Sequence, residues 1–181
     1  DLDRAVQGDG RTVRRLEKAF FLQEMLELLN EIFSHFDTLA GRYGIEKIST
    51  IGDSYLVAAG VPLPRDDHAR AIADLGLEMI AYIKSYPRQH GRHVAFRVGI
   101  SSGPLVAGVI GCTKFHYDIW GDTVNTASRL EGVTKTVPYR IMMSAATQTA
   151  AGDGLKVSIR HPAAITRLVD GQPPEEKIRS D

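Results

Sequence analysis

IEKISTIGDSYLVAA, residues 45–59, holds two β-rich runs, EKISTI and SYLVAA, on either side of Gly52-Asp53. β-branched and aromatic residues favour extended backbone, and a Gly-Asp pair between two such runs is a hairpin signal. The segment therefore predicts two antiparallel strands with Asp53 at their tip. Upstream, Leu22, Met25, Leu26, Leu29, Ile32, Phe33, Phe36 and Leu39 recur at spacings of three and four, the stripe of an amphipathic helix that stops near Gly41 and Gly44. Downstream, Pro62 and Pro64 break the chain, and Ile72, Leu75, Met79, Ile80 and Ile83 mark a second amphipathic helix over His68–Ile83. A hairpin flanked by helices that must each cover an apolar face predicts an α+β domain, with helices on one face of a mainly antiparallel sheet.

The rest of the chain extends this pattern. Val94, Phe96, Val98 and Ile100 alternate with Ala95, Arg97 and Gly99 at the period of a strand, which Ser102-Gly103-Pro104 ends. Leu105–Ile110 and Phe115–Trp120 read as short strands separated by Gly111-Cys112, and Gly121-Asp122 precedes a helical run over Thr123–Leu130. Arg140–Met143 is apolar, with Met142 and Met143 expected in the core, and Ser144 is placed to cap a short helix. Leu155–Ile159 alternates again. Both ends are polar: residues 1–15 read as a segment or linker with a Gly-Asp-Gly turn, and residues 161–181, ending GQPPEEKIRSD, as a tail. One domain is left over residues 16–160, and RRLEK at Arg14–Lys18 reads as a solvated helix start or a linker from an upstream sensor.

Composition narrows the function classes. With 181 residues, 43% hydrophobic and 24% charged, the chain is long enough for one core and too apolar for disorder. Lys and Arg number 22, as do Asp and Glu, so no global basic field attracts nucleic acid or anionic lipid. The single Cys112 forms neither an intrachain disulfide nor a cysteine metal site, which fits a reducing compartment, and no histidine is evidently paired with it for catalysis. His90 and His93 lack an acidic companion and read as loop residues. No run of about 18 apolar residues spans a bilayer. The chain begins at Asp1 without an initiating methionine and reads as a piece of something longer.

Three features rise above this background. Asp53 offers hard carboxylate oxygen at a hairpin tip, which suits Mg²⁺ or Mn²⁺, although a turn aspartate taken alone is most often structural or solvated. Asn125 and Arg129 stand four residues apart, so both rise from one helix face. The arginine fork suits phosphate and the amide offers a donor and an acceptor beside it, while the plain alternative is a solvated helix face. Asp118, mid-strand among the aromatics of FHYDIWGD, is a charge that needs a reason or an outward-facing edge residue.

Together, KISTIGDSYLVAAGVP, FRVGISSGPLVAGVIG and YDIWGDTVNTASRLE resemble, in order, the catalytic domain of the class III adenylate and guanylate cyclases, from about Leu26 to about Thr147. The resemblance implies a ferredoxin-like sheet and a homodimer of head-to-tail domains with shared sites that act on ATP or GTP. It implies that Asp53 is one of two aspartates holding two divalent ions on the triphosphate. Asn125 matches the residue that orients the ribose, and Arg129 the one that stabilises charge developing on the α-phosphate. Asp118 matches the base-recognising aspartate of adenylate cyclases. Its companion position is Ser49, where adenylate cyclases commonly carry Lys and guanylate cyclases Glu.

Two departures accompany the likeness. The family's first strand, with the other metal-binding aspartate, has no counterpart in Asp1–Phe21: Asp1, Asp3 and Asp9 lie in a polar stretch without a strand pattern. Losing that strand leaves its neighbours with unpaired edges and an open core. The triphosphate-binding lysine is also unmatched, since Lys156 and Lys177 are in the wrong setting. The expected activity is conversion of ATP to cyclic AMP and pyrophosphate with Mg²⁺ or Mn²⁺, in the cytoplasm or on the cytoplasmic face of a membrane. A cyclase-like regulatory dimerisation module and a guanylate cyclase are the alternatives.

Overall fold

The computed structural model describes residues 10–90, 94–138, 140–153, 155, 157–160 and 165–168. The elements run α1 (Gly10–Tyr43), β1 (Glu46–Ile51), β2 (Ser54–Ala58), α2 (His68–His90), β3 (Val98–Ile100), β4 (Val106–Ile110), β5 (His116–Trp120), α3 (Asp122–Val133), β6 (Ile141–Ser144), α4 (Ala145–Ala151), β7 (Val157–Arg160) and β8 (Ile165–Leu168).

The hairpin forms as its sequence predicts. β1 and β2 pair antiparallel, Ile51 opposite Ser54 and Thr50 opposite Tyr55, with an irregularity between Lys47 and Ser49. Gly52 turns the chain at φ 60°, a conformation that side chains with a Cβ rarely adopt. β4 and β5 make a second antiparallel hairpin, and β3, β6, β8 and β7 form a four-stranded sheet in that order, in which only β3 and β6 run parallel. Among the described residues the three sheets are separate, so β2 pairs with β1 alone and β3 with β6 alone. These are the unpaired edges expected of a domain without its first strand.

Other elements depart from expectation. α1 starts at Gly10, inside the segment read as polar linker, because Arg, Leu, Glu, Lys and Ala are good helix formers whatever their amphipathicity. Its stripe is buried only from Ile32 onward; Leu22, Met25 and Leu26 are exposed, one helix end running past the core. α2 continues to His90 instead of ending near Ile83, so His90 is helical, while His93 lies outside the described residues. β3 keeps only Val98–Ile100 of the expected strand, since pairing with Ile141–Met143 ends there. β8 falls in the stretch read as tail and pairs with both β6 and β7. The rest of the tail lies outside the described residues, apart from Ile165–Leu168.

The main core joins α1 to α2. Phe36, fully buried, has ring centroids 4.9 Å from Phe96, 5.5 Å from Tyr55 and 6.3 Å from Tyr82, separations at which tilted and edge-on aromatic pairs attract. Leu75, Met79 and Ile83 of α2 complete it. Arg65 closes the exit of α1 by donating from Nη1 to the Tyr43 and Gly44 carbonyls at 2.5 and 3.2 Å while its other nitrogens grip Asp67. A second cluster packs Ala73 and Ile80 of α2 on Ile100, Ile141 and Met143. α2 thus covers the face of β3 from which Val98 and Ile100 point. α3 lies against the other face, where Gly99 lets the Ala127 carbonyl approach, so the helices do not all share one face.

Two stability predictions arise here. Ser144 caps α4 as expected, its Oγ accepting from Thr147 N at 3.2 Å beside the buried Thr147 hydroxyl. Ser144→Ala is expected to lower stability by about 1 kcal/mol, read as a shifted urea midpoint at unchanged slope. Burial first, and then the hydrogen bond to Glu78, pushes Tyr43 up from its ordinary 10 to about 12. Burial and then a 2.6 Å bond to Asp37 push Tyr55 up as well. A phenol kept protonated by the fold contributes fully below pH 10, where the unfolded tyrosine is also neutral, and loses that contribution as pH rises through about 12. Urea midpoints should therefore fall across that window, and Tyr43→Phe should lessen the fall.

Candidate active site

A third core cluster, Ile48, Ala58 and Ile119 with Leu56, Leu105 and Val124 against it, ties the first hairpin to β5 and α3. Three of the residues singled out from sequence are chain neighbours of this cluster: Ser49 follows Ile48, Asp118 precedes Ile119, and Asn125 follows Val124. One rigid apolar unit therefore holds them.

Asp53 is exposed at the β1–β2 turn. It shares the rim of a groove of about 500 Å³ with Ser101 and Ser102. Asp118 sits mid-β5 opposite Gly108, and its Oδ1 accepts from the backbone N–H of Ile119 at 2.8 Å, which fixes the carboxylate and leaves Oδ2 available. Ser49 Oγ and Tyr117 Oη are buried with no hydrogen-bond partner among the described residues. A buried hydroxyl without a partner is costly unless something else meets it. Tyr117 is the residue the sequence reading missed; nothing in its neighbours signals that its hydroxyl is buried.

α3 enters through Gly121, whose carbonyl accepts from Val124 N and Asn125 N, and Thr123 Oγ1 donates to Pro104 O at 2.7 Å. Arg97 holds the far end by an ion pair to Glu131 at 2.8 Å. Fixed at both ends, the helix turns Val124, Ala127, Ser128 and Glu131 toward the groove. Asn125 and Arg129 are exposed outside the groove lining, and neither side chain makes a hydrogen bond or ion pair among the described residues. The structure therefore separates Asp53, on the groove, from Asn125 and Arg129, on another face.

No group of three or more potential metal ligands exists among the described residues, so they do not fit a pair of divalent ions, and the exposed Asp53 belongs to no such cluster. No described helix is long and apolar enough to cross a membrane.

The chain matches the family model described as the adenylate and guanylate cyclase catalytic domain over residues 13–169. It is 46% identical over 108 residues to an adenylate cyclase of Mycobacterium tuberculosis, covering 60% of this chain and 24% of that protein. It is 40% identical over 143 residues to retinal guanylyl cyclase 2 of Bos taurus, covering 76% of this chain and 13% of that protein. The guanylate cyclase domain of RhGC from Catenaria anguillulae, solved in complex with GTP, superposes with a TM-score of 0.69 at 31% identity, over 80% of this chain and 81% of that one. In sequence motifs and in fold alike, the chain belongs to the family of class III adenylate and guanylate cyclase catalytic domains.

Proposed function

We propose that this domain converts ATP to 3′,5′-cyclic AMP and pyrophosphate at sites shared between two copies, with residues 16–160 as the catalytic unit and cytoplasmic ATP as its substrate. The observation that carries this reading is the pair Asn125 and Arg129, exposed on one face of α3 with side chains that bond to nothing among the described residues. Surface groups with no structural role on a helix fixed at both ends are available to a ligand. Because Asp53 lies on a different face, a second copy is the natural source of Asn125 and Arg129 for the nucleotide that Asp53 meets.

In the reaction the ribose 3′-hydroxyl gives up its proton to solvent and its oxygen bonds to the α-phosphorus as the bond from that phosphorus to the pyrophosphate oxygen breaks. Asn125 orients the ribose, and the Arg129 guanidinium faces the negative charge that grows on the α-phosphate oxygens. Asp118 Oδ2 accepts from the adenine amino group, and Ser49 Oγ, buried without a partner, is the polar group left for the base. The relatives carry both purine names, so the base preference rests on Asp118. A requirement for Mg²⁺ or Mn²⁺ depends on a carboxylate from outside the described residues joining Asp53.

The lack of a metal-ligand cluster among the described residues supports a second reading, a cyclase-like module that dimerises and regulates without turnover. Turnover with ATP and with GTP, each with Mn²⁺, separates the two. Cyclic AMP exceeding cyclic GMP supports the first reading; the reverse preference assigns the chain as a guanylate cyclase. No cyclic product from folded, dimeric protein sinks the enzyme and leaves the module.

A further inference from the structure

We propose that Trp120 is the platform on which the purine stacks, its indole holding the base whose edge Asp118 reads. Asp118 and Trp120 stand two residues apart on β5, so both leave the same face of the β4–β5 hairpin, while Tyr117 and Ile119 turn inward to the third core cluster. Directly opposite them on β4 are Gly108 and Val106. The outward face is therefore built of a carboxylate, an indole, a glycine and a valine, with Trp120 39% exposed.

Gly108 decides how the indole lies. A Cβ at that position would be 3.7 Å from Cζ3 of Trp120, so the ring leans from its own place across to the glycine opposite Asp118. A longer side chain at 108 would lift it off the sheet. The indole thus lies low beside a carboxylate whose Oδ1 is held by the Ile119 N–H and whose Oδ2 is left to accept. A ligand that answers both groups at once must be planar, to stack, and must carry an N–H at its edge. A purine has both properties. An apolar side chain from a second copy would cover the indole and leave the carboxylate desolvated without a donor. Stacking tolerates any base, since every base has a π-face, so Trp120 supplies affinity and orientation to either purine and leaves the choice between them to Asp118 and Ser49. This inference rests on the reading of a purine nucleotide as the substrate.

Trp120 is the chain's only tryptophan, so its emission reports on this position alone. The test titrates the whole chain, with Mg²⁺, against α,β-methylene ATP, which cannot be cyclised because the bond that must break is carbon–phosphorus, and against inorganic tripolyphosphate. Emission is excited at the red edge of indole absorption, where adenine does not absorb, and binding is followed in parallel by calorimetry. The nucleotide is expected to quench the emission with the calorimetric midpoint, and tripolyphosphate to leave it unchanged. Trp120→Leu should bind the methylene analogues of ATP and GTP about tenfold more weakly, each by the same factor, and Trp120→Phe, which keeps a ring, should recover most of that affinity. Nucleotide binding in the calorimeter with unchanged emission, or equal losses in the leucine and phenylalanine variants, would overturn the platform and leave the ATP reading standing. No calorimetric binding of either analogue would overturn both. Emission that shifts with protein concentration but not with nucleotide would also overturn the platform, giving the face to a second copy.

Discussion

Arg129→Ala is expected to lower cyclic nucleotide formation by about a hundredfold or more, the loss typical when a group aimed at developing transition-state charge is removed. Arg129 is exposed and bonded to nothing among the described residues, and alanine is the better helix former, so the melting temperature should not fall. The loss should appear in kcat with KM little changed, because charge on the α-phosphate grows only as the ring closes. Lysine restores the charge but not the planar fork, so Arg129→Lys should recover only part of the rate.

The same substitution tests the shared site. Asp53→Ala and Arg129→Ala should each be inactive alone, yet mixing them should restore a substantial fraction of the activity. A mixed dimer then has one site with both residues changed and one with neither. If the mixture stays as inactive as its parts, Asp53 and Arg129 serve one site within a single copy and the dimeric reading fails.

What the sequence made legible follows from which forces are local. The first hairpin was readable to within one residue at its ends because β-propensity, a Gly-Asp turn and the alternation of apolar side chains all act within fifteen positions. Ser144 was recognisable as a cap for the same reason. β8 was not, because Ile165–Leu168 is only four residues long and becomes a strand through β6 and β7, more than twenty residues away in the first case. The four expected residues of the strand before Val98 failed in the opposite sense: the alternation is present in Val94–Arg97 but no partner strand reaches it. At the site, Asn125 and Arg129 share a helix face as their spacing requires, whereas the separation of that face from Asp53 depends on how α3 lies across β3. Spacing carries no information about that crossing.

The crossing is set by Gly99, and changing it should produce the largest loss of stability. A Cβ at this position would lie 2.0 Å from the Ala127 carbonyl oxygen and 2.5 Å from the Glu131 backbone nitrogen. Neither atom can rotate away, because both belong to the backbone of α3. Either α3 must move off the sheet, straining the Arg97–Glu131 ion pair, or β3 must leave β6, breaking the 2.7 Å bond from Val98 N to Arg140 O. Gly99→Ala is therefore expected to destabilise the domain by about 3 kcal/mol or more, the upper end of the overpacking range, against a typical total of roughly 5–15 kcal/mol. Urea unfolding measures the loss. The fraction that still folds should also be slow, because α3 carries Asn125 and Arg129 and a shift of about 1 Å in such groups costs about a hundredfold in rate. Gly132→Ala in the same helix supplies the contrast: nothing lies within 4 Å of its added Cβ, so there alanine should stabilise by roughly 0.5–1 kcal/mol. Equal shifts in the two variants would mean that glycine acts through chain entropy at both positions. Opposite shifts, with activity lost only at Gly99, would mean that the close approach of β3 to α3 is what aims the catalytic face.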